Sequence, residues 1–147
     1  MVGDCPLCRE PGGLLVFQAP KFRVIRAQEP DFPALYRVVW QAHVAEWSDL
    51  SADDRALCME AVAVVERAMR DSLRPDKINL AALGNMVPHL HWHVIARYRW
   101  DSRWPAPSWA PVQRDVPVAT WSPISEGLAA LDARLVADFS ALALFRV

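Results

Sequence analysis

The stretch His89-Leu90-His91-Trp92-His93-Val94-Ile95 holds three of the chain's four histidines, spaced two residues apart. A β-strand sends successive side chains to opposite faces. On a strand, all three imidazoles therefore share one face and stand about 7 Å apart along it. Leu90, Trp92 and Val94 then fill the other face, toward a core. A helix would fan the same rings around its axis. The alternation asks for a half-buried strand with an imidazole-bearing surface, and the remaining chain must supply the core beneath it.

The other segments supply one. Leu14-Leu15-Val16-Phe17, Phe22-Arg23-Val24-Ile25-Arg26 and Tyr36-Arg37-Val38-Val39-Trp40 read as strands rich in β-formers, separated by turn residues. Ile78 to Leu83 reads as a fourth strand, and Gly84-Asn85-Met86-Val87-Pro88 turns the chain into the histidine strand, which is expected to run to about Tyr98. Between the third and fourth strands the period changes. Leu57, Ala61, Val64, Val65 and Ala68 fall at helical spacing, with Cys58, Val62 and Met69 widening the apolar face. Ser51 suits the N-cap, Asp53 and Asp54 suit the positive end of the helix dipole, and Pro75 forbids continuation, which predicts a helix over about 51–72. One long helix on an antiparallel sheet of about five strands is an α+β fold. After Arg99, Trp100, Trp104 and Trp109 are interleaved with prolines in a segment unsuited to regular structure. Ser122-Pro123 resembles a helix start, and Leu128, Leu131, Leu135, Phe139 and Leu142 form a stripe, predicting a C-terminal helix over about 123–143.

A chain of 147 residues fits one domain with a real core. Its formal net charge of −1 gives no electrostatic case for general nucleic-acid or membrane binding. No apolar run approaches the ~20 residues of a membrane span, and the first residues lack the apolar centre of a signal peptide. Cytoplasmic residence is the expectation, with Cys5 and Cys8 read as thiols or metal ligands rather than a disulfide. Cys58 lies on the apolar side of the helix and reads as a core residue.

Three imidazoles on one strand face can act in several ways. One ring can be a nucleophile toward phosphorus while its neighbours orient it and bind phosphate oxygens. Two or three can ligate a metal instead. They can also be satisfied polar residues, although three in alternation with apolar residues disfavour that. Trp100, Trp104 and Trp109, with Arg97, Arg99 and Arg103 close by in sequence, could stack a base and neutralise phosphates, or simply clamp the tail by packing, the reading preferred for most of them.

The seven-residue motif resembles the signature of the histidine triad family, His-φ-His-φ-His-φ-φ with φ apolar, at every position. An N-terminal Cys-x-x-Cys, a strand ending near His43, one helix, an Asn-bearing strand and a Gly84-Asn85 turn agree with that layout. The resemblance spans roughly residues 5–112, which gives a histidine triad domain over 1–112 and a C-terminal extension over 113–147. Within the family it resembles the small bacterial members described as dinucleoside polyphosphate hydrolase-like.

That resemblance implies a nucleotide hydrolase or nucleotidyl transferase acting at the α-phosphorus of a dinucleoside polyphosphate or nucleoside phosphoramidate. His91 would be the nucleophile that forms a nucleotidyl-histidine intermediate, His93 would donate to a phosphate oxygen, and His89 would complete the catalytic set. Asn79, Asn85 and Met86 would lie against the substrate, although Asn79 also reads as a half-exposed strand residue and Asn85 as a turn residue. The chemistry implied needs no cofactor. Some bacterial relatives hold a structural zinc, and the matching ligands here are Cys5, Cys8, His43 and His89; the Cys-x-x-Cys with Pro6 inside it is equally readable as a plain loop. Family members are often homodimers, so a homodimer with a nucleotide substrate is expected. Two departures stand out: Leu35 occupies the place of a fourth family histidine, and Trp40 that of a common proline. Leu35 leaves open a nucleotide-binding or partner-binding protein with little turnover. A catalytic metal on His89, His91 and His93 is the third reading.

Overall fold

The structure, a computed structural model, describes residues 2–146. Its elements follow in the order β1 (Leu14–Gln18), β2 (Phe22–Arg26), β3 (Leu35–Trp40), β4 (Lys77–Ala81) and β5 (His91–Arg97), with helices α1 (Pro6–Arg9), α2 (Ala52–Leu73), α3 (Val118–Glu126) and α4 (Leu128–Ala141). The five strands form one sheet in the order β1-β2-β3-β5-β4, antiparallel at every pairing. The expected α+β architecture is present. No helix among the described residues is long and apolar enough to cross a membrane.

Local chemistry sets the bounds of α2. The Ser51 hydroxyl accepts a hydrogen bond from the Asp54 amide, and Asp53 and Asp54 occupy the first turn. At the other end Arg74 adopts a left-handed conformation with φ of 47°, and Pro75 follows. The buried side of α2, including Leu57, Ala61, Val65, Ala68 and Met69, packs against β3 and β5. Cys58 is buried there as a core residue, and burial pushes its thiol pKa up to about 12.

The register assigns the two sheet faces. Val38 pairs with Trp92 and Tyr36 with Val94, so these side chains meet the helices. Arg37 pairs with His93, Val39 with His91 and Leu35 with Ile95, which places all six on the opposite face.

The C-terminal region departs from expectation. A single helix over about 123–143 is replaced by α3, which starts at Val118, and α4, which ends at Ala141, with a bend at Gly127. Ser122-Pro123 is not a helix start, and Pro123 lies inside α3. The helix begins earlier because Trp121 docks on Trp100, with ring centroids 4.6 Å apart, and on Tyr98 and Phe32. Packing of an apolar face outweighs local start signals in a short helix.

Helix α4 closes the helix side of the sheet over β1 and against α2. Phe139 stacks on Phe17 at 4.9 Å and leans on Phe22. A polar clasp reinforces this contact: Asp132 accepts from Arg26 Nη2 at 2.8 Å and from the Tyr36 hydroxyl at 2.6 Å. Burial and the neighbouring carboxylate push the Tyr36 phenol upward. Asp132→Ala leaves both donors unpaired in a pair whose side chains are only 21% and 18% exposed. It is expected to cost about 2–3 kcal/mol in denaturant unfolding; an unchanged midpoint would show that α4 docks by apolar packing alone.

Candidate functional site

The N-terminal segment crosses the face of the sheet opposite the helices. Arg23 holds it there, its guanidinium donating to the carbonyls of Leu7, Glu10 and Pro11. Cys5-Pro6-Leu7-Cys8 is not a plain loop: α1 occupies Pro6–Arg9, with Pro6 at its first position. That turn brings both thiols to the end of β3. Cys5, Cys8, His43 and His89 place one donor atom each within 4.8 Å of one another. The Cys8 Sγ lies 3.3 Å from His43 Nδ1 and 3.4 Å from His89 Nδ1, Cys5 Sγ lies 3.4 Å from His89 Nδ1, and the two Nδ1 atoms are 3.3 Å apart. Donors arranged tetrahedrally at ordinary zinc–sulfur and zinc–nitrogen lengths stand about 3.3–3.8 Å apart. Donor set and spacing both fit zinc. The far nitrogen of His89, Nε2, donates to the Trp40 carbonyl at 2.6 Å, which aims Nδ1 at the cluster.

His89 thereby separates from its two companions. Strand β5 begins only at His91, not at His89. His89 is 1% exposed and its ring belongs to the cysteine cluster instead of standing beside His91. The expectation of three imidazoles in one row on a strand is corrected by this turn of the backbone, and of the two places expected for His89 the geometry sets it among the metal-type donors. No metal-type cluster among the described residues includes His91 or His93.

His91 and His93 remain together, with ring centroids 5.0 Å apart. His91 Nδ1 donates to the backbone carbonyl of His89 at 2.6 Å. A carbonyl can only accept, so in the neutral ring the proton sits on Nδ1 and Nε2 carries a free lone pair. His93 has the opposite arrangement. Arg37 Nε donates to His93 Nδ1 at 3.4 Å, so Nδ1 carries the lone pair and Nε2 the proton. Burial lowers the pKa of both rings, opposed in His91 by the bond to the His89 carbonyl and assisted in both by the charge of Arg37. For His93 the result is about 4, lowered also by His91. Both are neutral at pH 7, one presenting a lone pair and its neighbour an N–H.

They open into a cavity of about 610 Å³, lined also by Leu7, Arg37, Trp109 and the turn over residues 83–87. Gly84 makes that turn with φ of +79°, a conformation L side chains rarely adopt. The turn carries Asn85, whose side chain makes no hydrogen bond among the described residues, and Met86, which is 96% exposed. Asn79 is placed differently. It pairs with Ile95, two residues beyond His93, and its side-chain oxygen accepts from Arg97 Nη1 at 2.8 Å. It lines a neighbouring cavity of about 500 Å³ with Ala81, Ile95, Pro105, Pro107 and Trp109.

Arg97 and Asp101, both buried, organise the tryptophan-rich segment. Asp101 accepts from Arg97 Nε at 2.8 Å and from the amides of Tyr98, Arg103 and Trp104. Arg97 also donates to the Ala106 carbonyl. The packing reading therefore holds for Trp100, stacked on Tyr98. Trp109 is the exception: it is 61% exposed and forms a wall common to both cavities. Arg37 is the site residue that sequence reasoning overlooked. The available signal was a charged residue inside the apolar strand Tyr36-Arg37-Val38-Val39-Trp40.

An antiparallel sheet of five strands with a neutral histidine pair on its open face defines a histidine triad architecture. The sequence profile of the HIT domain matches residues 10–100, and the chain belongs to that family. A histidine triad protein from Bradyrhizobium japonicum is similar at 29% identity, with a TM-score of 0.70 over 86% of this chain and 92% of that one. One from Marinobacter aquaeolei is 26% identical, with a TM-score of 0.67 over 86% and 93%. A protein described as a Zn-bound histidine triad family member from Mycobacterium smegmatis shares the fold at 20% identity, with a TM-score of 0.61 over 91% and 99%. No curated protein matches the chain. Family membership points to nucleotide binding or nucleotidyl transfer.

Proposed function

We propose that this protein is a nucleotidyl hydrolase or transferase acting at the α-phosphorus of a dinucleoside polyphosphate or nucleoside phosphoramidate. The observation that carries the reading is the pair of opposite tautomers, a free lone pair on His91 Nε2 beside an N–H on His93 Nε2. A phosphate needs those two complements: an electron pair for phosphorus and a donor for its oxygen.

In the first step His91 Nε2 attacks phosphorus. A phosphorus–nitrogen bond forms, and the bond to the leaving group breaks with its electron pair going to that group. His93 donates to a non-bridging oxygen throughout, and the Asn85 amide in the facing turn adds a further donor. In the second step water attacks. A phosphorus–oxygen bond forms, the phosphorus–nitrogen bond breaks, its electrons return to Nε2, and a nucleoside monophosphate leaves as the water proton passes to solvent. His91→Ala is expected to cut turnover at least about 10⁴-fold while the protein stays folded, and only the intact protein should form an adduct heavier by one nucleotidyl group. Undiminished turnover in His91→Ala would overturn the reading. Nucleoside monophosphate binding without turnover of any substrate would favour a binding protein. Leu35 is the feature consistent with that second reading, because it pairs with Ile95 and is 5% exposed where many family members carry a histidine.

We also assign zinc to Cys5, Cys8, His43 and His89, on the donor chemistry and spacing and on the similarity to the Zn-bound relative. The ion would tie the N-terminal segment to the ends of β3 and β5, and His91 takes no part in holding it. Metal analysis of chelator-free protein should find one zinc per chain. A Cys5→Ser, Cys8→Ser variant should lose it and melt roughly 5–10 °C lower, whereas His91→Ala should keep it. Intact protein without stoichiometric zinc would refute the assignment.

A further inference from the structure

Four arginines lie on the strands of the sheet: Arg23 and Arg26 on β2, Arg37 on β3 and Arg97 on β5. Three of them spend their guanidinium groups within the protein. Arg23 donates to three carbonyls, Arg26 grips Asp132 through two nitrogens, and Arg97 serves Asp101, Asn79 and the Ala106 carbonyl. Arg37 differs. Its Nε donates to His93, but neither Nη makes a hydrogen bond among the described residues. Glu29 stands 3.9 Å from Nη2, beyond hydrogen-bond reach, and is itself 51% exposed.

The side chain of Arg37 is only 22% exposed, and Glu29, 3.9 Å away and half exposed, compensates its charge only weakly and without a hydrogen bond. Such a charge is costly unless something pairs with it. The cavity it lines contains no Asp or Glu among its lining residues. What the cavity offers is a planar fork of free N–H groups, the geometry that fits a phosphate oxygen pair. Its position relative to His93 says which phosphate. Arg37 bonds to the Nδ1 side of that ring, while Nε2 is the nitrogen assigned to the reacting phosphate. Arg37 therefore approaches His93 at the ring nitrogen that the reacting phosphate does not use, and its two Nη groups are left for another anion.

Building on the nucleotidyl-transfer reading, we infer that Arg37 is a specificity-determining residue that binds a second phosphate, carried by the leaving group, and so selects polyphosphate substrates over phosphoramidates. A purely positioning role through His93 would affect both substrate classes alike. Charge recognition would not.

The test compares diadenosine tetraphosphate with adenosine 5′-phosphoramidate on intact protein, Arg37→Gln and Arg37→Lys. Arg37→Gln should lower kcat/KM about 100-fold on the tetraphosphate and about 10-fold or less on the phosphoramidate. Arg37→Lys, which keeps the charge but not the fork, should fall between the intact protein and Arg37→Gln in its preference for the tetraphosphate. Binding of inorganic pyrophosphate to intact protein, measured by calorimetry, should weaken at least about tenfold in Arg37→Gln. Equal losses on both substrates, or no loss on either, overturn the inference. An intact protein inert on both substrates refutes the nucleotidyl-transfer reading instead. In that case pyrophosphate binding decides the role of Arg37 alone, and binding unaffected by Arg37→Gln overturns it.

Discussion

The hydrogen bond from His91 Nδ1 to the His89 carbonyl is the interaction on which the site depends. It fixes which nitrogen of His91 is bare, and it can do so because His89 is itself immobilised. The His89 ring is held on one side by the Trp40 carbonyl and on the other by the Cys5, Cys8 and His43 donors. Two histidines of one motif thus divide the work. The first anchors the backbone where the chain enters β5, and the second receives from that backbone its orientation and its tautomer. A second-sphere partner of this kind sets both the direction and the basicity of an imidazole.

The sheet makes the division possible by having two unlike faces. On one, α2 and α4 bury Val38, Val94 and Tyr36 and give β3 and β5 a rigid base. On the other, the N-terminal segment covers Ile25 and Val39 at one end while the segment folded around Arg97 and Asp101 covers the other. Between these covers His91, His93 and Arg37 stay accessible. Exclusion of water from most of that face keeps both imidazoles neutral near pH 7 and leaves the charge of Arg37 poorly screened.

Features with local causes were legible in the sequence. Helix α2 begins and ends within a residue of its expected bounds because a serine cap and a proline mark it, and β2 spans Phe22–Arg26 as read. The four cluster residues came from family resemblance, and the structure brings their donors together. Features with non-local causes were not legible. Period-two alternation could not reveal that the backbone leaves the ladder at His89, since that turn answers to a carbonyl on Trp40 and thiols more than eighty residues away. Asn79 lies on the expected face, but the β4–β5 register sets it level with Ile95, where Arg97 claims it. Arg37 gained its place only through the β3–β5 register, and α3 began early because of tryptophan and tyrosine rings on distant segments.

Two adjacent neutral histidines are held in opposite tautomers by fixed partners, the His89 carbonyl and the Arg37 guanidinium. Nitrogen-15 NMR of the imidazoles at neutral pH, assigned with single His91 and His93 variants, reads this directly. The expected spectrum has His91 protonated at Nδ1 and bare at Nε2, with His93 the reverse. Two rings in the same tautomer, or either ring carrying both protons at pH 7, would contradict it.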